Sequence, residues 1–74
     1  MQLVDEVRVS RTLPTPAVAR MIRTAAGVSQ ERLAQELGVH RMTVVRWEAG
    51  TRRPRGSSKA AYAELLGQLQ KAVA

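Results

Sequence analysis

Between positions 16 and 50, apolar residues recur at spacings of one, three and four, the period of helices buried along one face. Glycine interrupts that pattern at 27, 38 and 50. The first stripe, Val18, Ala19, Ile22 and Ala26, predicts a helix from about Pro16 to Ala26 with Arg20 and Thr24 outward. Thr15 is placed as its N-cap, and Pro16 falls at the first helical position, where a missing N–H is harmless. Ser29 can cap a second helix whose buried face is Leu33, Ala34 and Leu37, and Glu31 in its first turn suits the positive end of the helix dipole. Gly38 closes this helix only nine residues after its cap. A third helix, from about Arg41 to Ala49, divides into two sides at 100° per residue. Thr43, Val44 and Trp47 lie on one, and Arg41, Met42, Val45, Arg46 and Ala49 on the other.

Outside this centre the pattern is looser. Leu3, Val4, Val7 and Val9 stand among charged neighbours near the N-terminus, and the alternation Val7, Arg8, Val9 suits a short extended arm over residues 1–14. Such an arm can pair with a second copy, lie loosely along the domain or be disordered in solution, and Arg8 and Arg11 could carry positive charge toward an anionic partner. After Gly50 comes TRRPRG, with Arg52, Arg53 and Arg55 around Pro54; Ser57 and Ser58 are then candidate caps for a last helix from about Lys59 to Val73. Tyr62, Leu65, Leu66, Leu69 and Val73 form its apolar stripe, which Gly67 could divide into two pieces.

The expected architecture is therefore all-α and compact, with four to five helices in one small domain over residues 15–74, because 74 residues bury too little surface for two cores. With no cysteine there is no disulfide framework and no thiolate metal cage, and a cytoplasmic setting is the natural expectation. No basic start precedes an apolar run, and no stretch approaches the ~18 apolar residues of a membrane span.

Charge changes this picture more than size does. Ten Arg and two Lys against six acids leave a formal charge of +6, and Arg is the cation suited to bidentate contact with phosphate and guanine. The outward face of the third helix mixes Arg41 and Arg46 with Met42 and Val45. That combination suits the major groove, where guanidinium meets guanine and apolar groups meet thymine methyls. Two short helices joined by a tight turn at Gly38 and Val39, the second carrying this face, have the form of a helix-turn-helix. An enzyme is not indicated: one His, no Cys and six scattered acids offer no paired carboxylates, no nucleophile beside a base and no glycine-rich phosphate loop. No cofactor and no metal are implied.

Ser29, Gln30, Leu33, Ala34, Gly38, Val39, Thr43, Val44, Trp47, Glu48, Gly50 and Pro54 together resemble the lambda-repressor-like (Cro/repressor, XRE-type) helix-turn-helix domains of phage and bacterial regulators. The resemblance spans about Ala17 to Tyr62. It implies that Arg41, Met42, Val45 and Arg46 contact base edges, and that Gln30 hydrogen-bonds a phosphate and buttresses the first turn of the recognition helix. It also implies a structural pair between Arg23 and Glu48, which would fix the first helix against the third more than add net stability. Two departures stand out. His40 occupies a capping site where relatives carry Ser or Thr; it can cap through a ring nitrogen or reach a phosphate. Ala49 stands where relatives present a polar backbone contact, which Thr51, Arg52, Arg53 and Arg55 could supply instead.

The implied function is a sequence-specific, operator-binding transcriptional regulator acting on double-stranded DNA as a homodimer. Alternatives are an antitoxin or anti-repressor whose partner is another protein, and an architectural or recombination-directing DNA-binding factor. The operator, the sign of regulation, the dimer surface and any protein partner are not legible in the chain.

Overall fold

The computed structural model describes residues 13–73, and the expected arm lies, through residue 12, outside them. Four helices follow in order: α1 Pro16–Ala25, α2 Gln30–Leu37, α3 Arg41–Ala49 and α4 Gly56–Val73. No strand occurs among the described residues. Local chemistry accounts for most of the boundaries. Thr15 Oγ1 accepts from the Val18 N–H at 3.3 Å and Ser29 Oγ from the Arg32 N–H at 3.0 Å, so each cap satisfies one of the N-terminal donors its helix leaves unpaired. At Gly38, φ is +69°, and its N–H and that of Val39 donate back to Gln35 and Ala34 carbonyls. Nothing lies within 4 Å of a Cβ placed there, so the need for glycine is purely conformational.

α2 packs on α3, while α1 lies against both α3 and α4. Between them sit Ala19, Ile22, Leu33, Ala34, Val44, Trp47, Tyr62 and Leu66, with Leu13, Val28, Leu37, Val39, Leu65 and Leu69 packed at the edges. Every helix contributes, so none buries its apolar face without the others. The Trp47 and Tyr62 rings meet at a centroid distance of 4.8 Å and an interplanar angle of 33°, which joins α3 to α4.

Three sequence expectations are corrected. Val18 does not share the buried stripe of α1: it is 42% exposed, and Arg23 takes the inward position instead because its guanidinium finds partners there. Ser57 and Ser58 do not cap the last helix, which already begins at Gly56. Nor does Gly67 divide it. A glycine weakens a helix by only ~1 kcal/mol, and Tyr62 and Leu66, both 1% exposed, hold the segment as one piece.

The Tyr62 hydroxyl is buried with no hydrogen-bond partner among the described residues. Burial, with the nearby Glu48 charge adding and Arg23 opposing, pushes its ionisation up to about 12 from an ordinary 10.0. A neutral acid favoured in this way stabilises the fold below pH 10 and loses that contribution as pH climbs toward 12. Tyr62→Phe is therefore expected to unfold at the same or higher denaturant concentration at pH 7, by up to about 1 kcal/mol, since it removes an orphaned polar group. Its advantage over the parent widens between pH 10 and 12, as paired chemical denaturation curves would record.

Candidate nucleic-acid interface

α3 carries two kinds of side chain. Val44, fully buried, and Trp47 hold it against the core, and Thr43 is half-buried beside them. Arg41, Met42, Arg46 and Ala49 are exposed on the other side, and Val45 is half-buried at its margin. The helix's one carboxylate, Glu48, faces inward with its side chain only 3% exposed. The outward face thus presents two guanidinium groups and no acid, which leaves it attractive to a polyanion.

Glu48 is held there by a bidentate pair. Arg23 Nε donates to Glu48 Oε2 at 2.6 Å and Nη2 to Oε1 at 2.9 Å, while Nη1 donates to the Val28 carbonyl at 2.8 Å. Gln30 Nε2 donates to the same Oε1 at 3.1 Å, so it braces the last turn of α3 and not the first turn expected from the resemblance, because the acceptor that faces it is Glu48. One carboxylate therefore gathers α1, the turn after it, the first residue of α2 and the far end of α3. The hydrogen bond from Arg23 to Glu48 raises the guanidinium pKa above its ordinary value against the opposing effect of burial, so Arg23 stays charged. Gln30 keeps its second amide N–H and its oxygen without partners among the described residues.

His40 sits exposed ahead of α3, and its Nδ1 accepts from the Met42 N–H at 3.1 Å. A ring whose Nδ1 accepts in this way has Nε2 as its one remaining position for a donor. Sequence reasoning leaves capping and phosphate contact open as alternatives, and capping through Nδ1 leaves the second nitrogen available.

Beyond Gly50, where φ is +76°, Thr51 N–H and Arg52 N–H return to the Arg46 carbonyl and fold the loop against the end of α3. Pro54 is buried, so the arginines around it are pushed outward. A concavity of about 960 Å³ opens here, lined by Arg46, Arg52, Arg53 and Arg55 with Thr43, Thr51 and Ser58. Sequence reasoning misses Thr43 and Ser58 as part of this surface. Thr43 shares the inward side of α3 by angle alone, and Ser58 reads as a cap only while the start of α4 is placed three residues late, at Lys59 instead of Gly56. Among the described residues no group of acids, His and Cys could hold a metal ion.

A family model described as helix-turn-helix matches residues 20–70, which spans more than half of the chain and includes all of α2 and α3. The chain belongs to the lambda-repressor-like, XRE-type helix-turn-helix family. No curated protein and no solved structure matches it. Membership makes this helix-turn-helix chain one of a family of DNA-binding regulators, and its all-helical fold agrees with that family. No described helix is long and apolar enough to cross a membrane.

Two outcomes are expected at this site. Glu48→Ala leaves Arg23 buried and uncompensated, at a loss of about 3–5 kcal/mol that a small domain hardly survives, whereas Arg23→Met combined with Glu48→Leu regains most of the stability in thermal melts. His40→Ala costs about 1 kcal/mol through the lost cap, and His40→Ser restores it. Equal melting of the alanine and parent chains would remove the imidazole from the cap.

Proposed function

We propose that the chain is a sequence-specific DNA-binding transcriptional regulator of the repressor or Cro type. It reads an operator's major groove with α3, and residues 15–74 form the DNA-binding domain behind an arm over residues 1–14. The observation that carries this reading is the continuity of an acid-free face of α3 with the arginine-lined concavity beyond it. Arg41, Met42, Val45 and Arg46 would meet base edges, the two arginines as bidentate donors to guanine and the apolar pair against thymine methyls. Gln30, His40, Thr51, Arg52, Arg53 and Arg55 would hold the phosphate backbone on either side. Their donors suit phosphate oxygens, since they comprise a spare amide N–H, an imidazole N–H, a hydroxyl and three guanidinium groups.

Nine residues of α3 span only a few base pairs, too few to single out one operator. Two copies on half-sites one helical turn apart, ~34 Å, double the contacts and match a palindrome, so the working form proposed is a homodimer. Such a protein works in the cytoplasm of a bacterial or phage-infected cell. A second reading, in which another protein is the main partner, draws on α1, where Val18 and Met21 are 42% and 66% exposed beside each other.

Arg41→Ala or Arg46→Ala should lose about 1–3 kcal/mol at the selected operator and relax the base preference there. Uniform loss across all sequences would contradict their reading role. Single alanine replacements of Arg52, Arg53 and Arg55 should weaken binding to any duplex and lower the salt slope by about one unit per lost phosphate contact. A slope unchanged in all three would take the loop out of the interface. Stoichiometric co-purification of another protein with no DNA binding at low salt would favour the second reading.

A further inference from the structure

A second cleft, of about 420 Å³, lies behind the arginine loop, between the start of α1 and the first turns of α4. Its lining is of two kinds. Leu13, Pro16, Trp47, Pro54 and Tyr62 supply apolar surface, whereas Arg52, Arg53 and Lys59 supply three positive charges, and among the described residues no carboxylate lines it. Among the described residues the ion pairs are Arg23 with Glu48 and Arg32 with Glu36, which leave these three cations without an acidic partner. An occupant complementary to this lining is an acidic segment flanked by aliphatic residues.

The chain contains such a segment at Leu3, Val4, Asp5, Glu6 and Val7, with the two acids adjacent and no base among the five; Arg8 and Arg11 follow it on the tether, so the complementarity is that of this local stretch and not of the whole arm. Leu13 and Pro14, where the described structure begins, themselves line the cleft. Glu6 is seven residues from Leu13, a reach of at most about 23–25 Å, ample for folding back over the cleft. Tethering at this length sets an effective concentration of order millimolar, enough for an intrachain contact that separate molecules would not hold. From this placement we infer that the acidic stretch around Asp5 and Glu6 docks into the cleft against Arg52, Arg53 and Lys59 and acts as an internal counter-anion.

The consequence rests on the DNA-binding reading above. Arg52 and Arg53 line both this cleft and the concavity beside α3, so a carboxylate held on one side competes with a phosphate on the other. Docking lowers affinity for every duplex alike and leaves base preference untouched, because the side chains proposed to read bases are not in the cleft.

The test uses the full chain. With no native cysteine, Gln2→Cys takes a single nitroxide label, and the label's broadening of backbone amide signals is followed without DNA. At low salt the amides of Arg52, Arg53 and Lys59 are expected to broaden selectively; the effect disappears in Asp5→Asn with Glu6→Gln and at ~0.5 M salt, where screening is short-ranged. The neutralised, unlabelled chain should also bind a random-sequence duplex about fivefold more tightly than the parent at low salt. Broadening spread evenly over the surface, or retained after neutralisation, overturns the proposal. Broadening seen only between labelled and unlabelled chains in a mixture assigns the cleft to a second copy's arm and overturns it equally. Acid-dependent broadening in a chain that binds no DNA sustains the docking and rejects the DNA reading, whereas DNA binding without broadening rejects the docking alone.

Discussion

The position of α3 depends on a carboxylate that does not face the partner at all. Glu48 is inward and almost wholly buried, and three donors from two other helices converge on it: Nε and Nη2 of Arg23 and the amide of Gln30. Because guanidinium and carboxylate are both planar and meet in two bonds, the pair restricts rotation as well as distance. A buried ion pair of this kind contributes little net stability over an apolar substitute, but it penalises any packing in which its partners separate. Its role in this small domain is to select one docking of α3 on α1 and α2. The surrounding apolar core then supplies the favourable burial.

That division leaves the outward surface open to polar and cationic side chains. α3 has one apolar row inward and two arginines outward, and its only acid is withdrawn into the ion pair. The buried Pro54 does the same for the loop, turning a run of like charges away from the core and around a concavity. Like charges so close repel one another. They are tolerated because they are solvated, and the repulsion is relieved when a polyanion, or a carboxylate of the chain itself, lies between them.

Where residues act through spacing or through backbone conformation, the fold is legible without coordinates. The caps at Thr15 and Ser29, the stops at Gly38 and Gly50, and the inward placement of Val44 and Trp47 all follow from 3.6-residue periodicity and the properties of single residue types. Periodicity fails at Val18 because hydrophobicity alone ranks it above Arg23 for burial. An arginine that gains three hydrogen bonds outweighs that ranking. It fails again at the start of α4, where two serines look like caps but the helix has already begun at a glycine. The orphaned hydroxyl of Tyr62 and the convergence of Leu13, Pro54 and Lys59 around one cleft cannot be read from spacing, since each depends on segments far apart in the chain. For the candidate interface, the types and order of residues are visible in the sequence, whereas its continuity across α3, the loop and the first turn of α4 needs the fold.

The central claim is that one continuous surface, the outward side of α3 with the loop over residues 51–55, receives the DNA. Backbone amide mapping of the full chain titrated with a duplex selected from a random pool measures this most directly. The account predicts the largest shifts at Arg41, Met42, Val45, Arg46 and Thr51 to Arg55, with little change along the exposed side of α1 at Val18 and Met21. Shifts concentrated on that side of α1, with α3 and the loop unmoved, would contradict it.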